Sequence, residues 1–187
     1  ELGGNAFDAV LAAMAAACVV EPVLTSLGGG GFLLARKPGR ESVLLDLFVQ
    51  TPRQRRTLAH SENNPVNSDF GTAQQEFHIR AAAIPTPGTV KGLVETHHSL
   101  GSLPLSEILA PAIEYAAGGV NINSLQAYIF SIVAPIYRAS TAAASLYGDG
   151  ALQGEGKLFR QPALAESLAW IAEEGDAPFY QGELARR

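Results

Sequence analysis

The chain has 187 residues, a net charge of −5 and an isoelectric point of about 5.3. Apolar residues make up 47% and charged residues 17%, which is enough apolar material for a core and too little charge for disorder. No basic run or aromatic–basic patch occurs, which argues against a nucleic-acid partner. No apolar stretch reaches the ~18 uninterrupted residues of a membrane span; the longest candidate, 9–20, stops at Glu21-Pro22.

In chain order, residues 5–20 give the clearest helix. Asn5 is a good N-cap, and Asp8 places a carboxylate in the first turn. Phe7, Val10, Leu11, Met14 and Cys18 recur at helical spacing and predict one buried face, with Ala12, Ala13 and Ala16 opposite. Gly28-Gly29-Gly30-Gly31 follow. Two apolar runs, 32–35 and 43–49, flank Pro38-Gly39 and predict an antiparallel hairpin. Residues 51–75, with Arg53, Arg55, Arg56, Asn63, Asn64, Pro65 and Asn67, read as a long polar loop. Residues 79–84 read as a third strand, ending at Pro85-Thr86-Pro87-Gly88. Helices are then expected up to Gly101 (with Val90, Leu93, Val94 and His97 on one face), over 105–117 and over 123–133. Residues 134–160 are less regular. A last long helix starts at Pro162, carries Leu164, Leu168 and Ile171 on one face and closes at Gly175. A helix, a few antiparallel strands and then several helices predict an α+β fold.

Candidate chemistry is sparse. The glycine run could be a phosphate cradle, but a strand follows it rather than a helix, and no Gly-Lys-Ser occurs; a tight turn or a close backbone approach is the favoured reading. Cys18 is the sole cysteine, which excludes an internal disulfide, and its place on an apolar face predicts a core thiol. His97 and His98 are adjacent, so their side chains diverge by about 100° on a helix and make poor joint ligands. His60 and His78 stand alone, and no metal site is expected. Asp149, Glu155, Glu173 and Glu174 fall in loops or at a helix end and show no paired-carboxylate spacing. Arg53, Arg55 and Arg56 read as an exposed basic loop, with grip on an anionic substrate as the alternative. No nucleophile–base pair assembles, so no catalytic residue is assigned within this chain. It begins with Glu1 and ends at Arg187 inside a predicted helix, and both ends read as cut.

Several segments, in order, carry a resemblance: 3–9 (Gly-Gly-Asn-Ala-Phe-Asp-Ala), Val20-Glu21-Pro22, 27–32 around the four glycines, 83–93, Gly101-Ser102-Leu103-Pro104, 109–114, 161–165 and 179–185. Together they resemble the large subunit of the γ-glutamyltranspeptidases. The resemblance implies a four-layer αββα sandwich of the N-terminal-nucleophile hydrolase type, of which residues 1–187 form an incomplete part within one large-subunit domain. It implies a precursor that cuts itself, and a small-subunit partner whose new N-terminal Thr is the nucleophile, its α-amino group serving as base. It implies cleavage of γ-glutamyl amides such as glutathione, with acyl transfer to water or an amino acid, and no cofactor. An exported or periplasmic location follows only by analogy with the family.

One departure bears on substrate. The family pattern after the second strand is Asp-x-Arg-Glu-x-x-Pro, whose Arg holds a substrate carboxylate. This chain reads Asp46-Leu47-Phe48-Val49-Gln50-Thr51-Pro52, with Phe48 at the Arg position. An apolar ring replaces a planar bidentate cation. Phe48, Gln50 and Arg53 are therefore the candidate substrate-binding residues, Arg53 as a relocated cation. The competing readings are a related acylase acting on a non-γ-glutamyl amide, and a non-catalytic homologue or structural partner.

Overall fold

The computed structural model describes residues 2–54, 57, 63–148 and 153–186. Arg55, Arg56, His60 and Asp149 lie outside the described residues. The elements in chain order are α1 (Ala6–Val20), β1 (Phe32–Ala35), β2 (Val43–Asp46), β3 (Asn64–Asp69), β4 (Gln74–Ile79), α2 (Thr89–Leu100), α3 (Leu105–Gly118), β5 (Val120–Asn121), α4 (Ser124–Ile132), α5 (Ala134–Tyr137), α6 (Thr141–Tyr147), β6 (Leu158–Phe159), α7 (Pro162–Glu174), α8 (Ala177–Tyr180) and α9 (Glu183–Arg186). The fold is α+β. Its contacts divide it into two compact units: Glu1–Gln50, Thr86–Gly119 and Arg160–Arg187 form the first, Thr51–Pro85 and Val120–Phe159 the second.

The first unit holds the helical core. The Asn5 side chain accepts the N–H groups of Phe7 and Asp8 while Asp8 accepts that of Asn5, a reciprocal cap that starts α1 as expected. The buried face of α1 differs from expectation. It is Asp8, Leu11, Ala15, Cys18 and Val19, while Val10 is 50% exposed and Ala13 is exposed. An alanine-rich helix carries little contrast between its faces, so periodicity could not set its rotation; the packing partner did. That partner is α3, which packs on both α1 and α7. Leu109, Ala112 and Ala116 of α3 are fully buried, beside Leu11 and Val19 of α1 and Leu168 and Ile171 of α7. Each fully buried leucine or isoleucine contributes about 1.5–3 kcal/mol. The start of α7 is tied twice. The Gln161 N–H donates to the Ala116 carbonyl, and its buried side-chain amide donates to the Val19 carbonyl at 3.1 Å.

β1 and β2 form the expected antiparallel hairpin, with Phe32 opposite Asp46 and Ala35 opposite Val43. The Arg40 N–H closes the turn on the Lys37 carbonyl. Pro38 and Gly39 sit at its centre, and Gly39 takes the positive φ that the turn requires.

The second unit corrects two expectations. Residues 51–75 are not all loop, because β3 and β4 pair antiparallel from Asn64↔Ile79 to Asp69↔Gln74. Turn-forming residue types hid an alternation in which Val66 and Ser68 point inward, with Ser68 buried. Nor is 79–84 a strand. β4 ends at Ile79, Arg80 takes a φ of 80°, and Ala81–Ala83 form a 3-10 turn. Three alanines offer a sheet little to pack, whereas the turn satisfies the Ala83 N–H on the Arg80 carbonyl. The irregular stretch after α4 centres on Phe130, whose ring meets those of Tyr137, Tyr147 and Phe159. Burial, with Tyr147 adding to it, pushes the Tyr137 phenol up to about 12.

Candidate functional site

The segment that follows β2 is built on close backbone contact. The Leu47 N–H donates to the Gly31 carbonyl at 2.9 Å, and the Gly31 N–H returns a bond at 3.1 Å. A Cβ on Gly30 would meet the Leu47 carbonyl oxygen and the Val49 nitrogen at 2.6 Å each. A Cβ on Gly88 would strike that same Leu47 carbonyl, and one on Gly92 of α2 would strike the Leu47 side chain. The Leu47–Phe48 peptide is thus clasped between the glycine run and the start of α2, the close approach anticipated for those glycines. The run also caps α2. The N–H groups of Gly88 and Thr89 both donate to the Gly29 carbonyl, and the Lys91 N–H donates to the Tyr180 hydroxyl at 3.1 Å. Within the run, the Gly29 and Gly31 N–H groups are taken by the Ser26 and Leu47 carbonyls, and strand β1 rather than a helix follows, so the phosphate-cradle reading has no support. The Tyr180 hydroxyl donates in turn to the Pro87 carbonyl at 2.7 Å, and Lys91 pairs with Asp176 at 2.9 Å. Tyr180 and Asp176 therefore hold the entry to α2.

Phe48 is 51% exposed. Its N–H donates to Asp46 Oδ1 at 2.9 Å, and its ring stacks on Phe32 with centroids 5.6 Å apart and planes 10° from parallel. Gln50 exchanges two backbone hydrogen bonds with Thr86, at 2.9 and 2.8 Å, and directs its side-chain amide to the Phe48 carbonyl. Arg53 stands exposed in a bend at the start of the second unit. The structure thus joins Phe48 and Gln50 on one segment and adds Phe32, which the sequence reading missed. The signal was present in the hairpin register: with Phe32 opposite Asp46, residue 48 is its diagonal neighbour.

A second cluster has the residue types of a catalytic triad and lacks its geometry. Asp8, 3% exposed, accepts the Ser102 hydroxyl at 2.5 Å, the Ser102 N–H at 2.9 Å and the Asn5 N–H at 2.7 Å. The Ser102 hydroxyl bond, with help from these backbone amides, outweighs burial and holds the carboxyl well below the usual carboxylate range. His97 Nε2 donates to the Leu103 carbonyl at 2.8 Å instead of facing Ser102, and its buried Nδ1 has no partner. A nucleophilic serine needs a base at its hydroxyl; here the hydroxyl proton is committed to Asp8. The cluster fastens the start of α1 to the α2–α3 loop, helped by the Asn5 amide on the Leu100 carbonyl. Cys18 is buried, and burial pushes its thiol up despite a bond from Thr25, which suits a core thiol. Among the described residues, no group of three or more His, Cys, Asp or Glu could hold a metal ion, and no helix is long and apolar enough to cross a membrane.

The family model for Gamma-glutamyltranspeptidase matches residues 1–187. The glutathione hydrolase proenzyme of Pseudomonas aeruginosa is 32% identical over 183 residues, covering 98% of this chain and 31% of that protein. The Acylase ACY 1 proenzyme of Pseudomonas sp. strain V22 is 32% identical over 186 residues, covering 98% of this chain and 33% of that protein. The crystal structure of Helicobacter pylori γ-glutamyltranspeptidase superposes with a TM-score of 0.81 at 29% identity, covering 98% of this chain and 52% of that one. The fold is thus an α+β segment of the kind found in N-terminal-nucleophile hydrolases. The chain belongs to the γ-glutamyltranspeptidase family, and it spans about a third of the length of the curated relatives it matches.

Proposed function

We propose that the protein to which this chain contributes is an amide-cleaving acyl transferase or hydrolase of the γ-glutamyltranspeptidase type. The 187 residues are part of its large-subunit domain within a four-layer αββα sandwich. The partner is a small subunit led by a nucleophilic Thr. The Thr hydroxyl oxygen adds to the substrate carbonyl, and its proton passes through the Thr α-amino group to the departing nitrogen. The C–N bond breaks as the acyl C–O bond forms. Water, or the amino group of an acceptor, then takes the acyl group and restores the hydroxyl. What carries this reading is the family match along all of residues 1–187. In its γ-glutamyl form, with glutathione as the type substrate, Phe48 and Gln50 line the acyl side. A second reading, an acylase for non-γ-glutamyl amides, is favoured by the exposed ring of Phe48 where the family pattern has Arg.

The test is production of the full-length reading frame. Self-cleavage into two polypeptides on a denaturing gel, together with release of p-nitroaniline from an acyl-p-nitroanilide, is expected. An intact precursor that turns over neither γ-glutamyl nor other acyl anilides would overturn the proposal and leave a non-catalytic homologue.

A further inference from the structure

We infer that Phe32 and Phe48 form one aromatic surface that selects an uncharged, planar acyl group, such as an arylacetyl group, over an amino-dicarboxylate acyl group. The inference rests on the amidase reading above and names the substrate class of the same site.

The first ground is construction. The two rings are nearly parallel at 5.6 Å, and 64% of Phe32 and 51% of Phe48 remain exposed. Beneath them the chain has little freedom. Phe32 is held in the β1–β2 ladder opposite Asp46, the Phe48 N–H is held by Asp46 Oδ1, and the preceding peptide is clasped by Gly30 and Gly88. A stacked pair of exposed aromatic rings on a fixed backbone offers an outer ring face for a further planar group at low ordering cost, and apolar lining with few fixed polar groups is how small-molecule sites hold such ligands. Thr86 and Gln50 extend the same backbone support past Phe48.

The second ground is charge. The ionisable group bonded next to the platform is the Asp46 carboxylate, which repels a substrate carboxylate. The hairpin's cations, Arg36, Lys37 and Arg40, stand at its other end, beside the turn. The four residue steps from Phe32 to Arg36 span about 13 Å of strand, beyond the roughly 8 Å screening length of physiological salt. A carboxylate at the rings would therefore lose water, meet a like charge and find no partner from this hairpin. A neutral aromatic acyl group meets none of these penalties.

The experiment uses the full-length, self-processed protein and compares kcat/KM for phenylacetyl-p-nitroanilide and γ-glutamyl-p-nitroanilide. The wild type is expected to prefer the phenylacetyl substrate. Phe48→Ala should lower that kcat/KM on the order of tenfold, mainly through KM, as expected for a lost apolar contact. Phe48→Leu, which keeps an apolar body, should lose less, and Phe48→Arg should reverse the preference. A wild-type preference for the γ-glutamyl substrate overturns the inference and leaves the amidase reading intact. So does an unchanged selectivity ratio in Phe48→Arg with a lowered Tm, which would make the rings packing for another part of the protein. Absence of self-cleavage and of turnover on both substrates removes the amidase reading, and the inference with it.

Discussion

Asp8 shows how one side chain takes part in two levels of structure. Its place in the first turn of α1 is local chemistry, and its bonds to Ser102 are tertiary, 94 residues away in sequence. The carboxyl is held well below its ordinary value of about 3.8, chiefly by the Ser102 hydroxyl. A depressed folded-state value means the ionised group stabilises the fold fully above the ordinary carboxylate range, and that this share is lost as pH falls through the folded value. Asp8→Asn should therefore lower Tm at neutral pH, where the wild-type carboxylate is charged. The difference between the two proteins should narrow as the medium is taken well below pH 4. Thermal unfolding followed by circular dichroism across that range checks the sign; a gap that widened in acid would contradict the assignment.

The glycine run, β2 and the start of α2 act as one element of the site, and the neighbouring glycines are not equivalent. A Cβ at Gly30 has backbone atoms of Leu47 and Val49 at 2.6 Å, whereas a Cβ at Gly31 meets nothing within 4 Å. Backbone cannot rotate out of the way as a side chain can. Gly30→Ala is thus expected to cost about 1–3 kcal/mol, the usual range for overpacking, with Gly31→Ala within about 0.5 kcal/mol of wild type. Denaturant titration of the two variants side by side measures the contrast. Equal stabilities would mean that the clasp on the Leu47–Phe48 peptide is not tight, and would weaken the fixed-platform argument built on it.

At the scale of the described residues taken together, the β1–β2 hairpin carries an exposed apolar surface. Leu34 is 72% exposed and Leu44 63%, beside Phe32 and Val43. A two-stranded sheet with open edges and apolar residues facing water invites association. The 187-residue chain produced by itself should bind an apolar fluorescent dye and self-associate, and Leu34→Lys with Leu44→Lys should reduce both. Light scattering and dye fluorescence provide the readout; a monodisperse, dye-free wild-type segment would count against it. The chain spans about a third of its curated relatives, so the same measurement on the full-length protein compares the hairpin in the two settings.

Local chemistry made much of this protein legible in its sequence. The Asn5 cap, the Pro38-Gly39 turn and the Gly101 and Gly175 helix ends each depend on residues a few positions apart, and so does the amphipathic face of α7. The ordered motifs likewise marked the family, and with it the α+β fold. Tertiary structure decided what depends on distant partners. It turned the buried face of α1 toward α3, because the alanine-rich pattern carried no preference of its own. It paired β3 with β4 through a stretch of Asn, Pro and Asp whose composition reads as loop. It directed His97 to a backbone carbonyl and Ser102 to Asp8. At the candidate site, sequence singled out Phe48 by its departure from the family pattern. Only the strand register brought Phe32 against it, because two residues 16 positions apart become neighbours when a hairpin fixes their pairing.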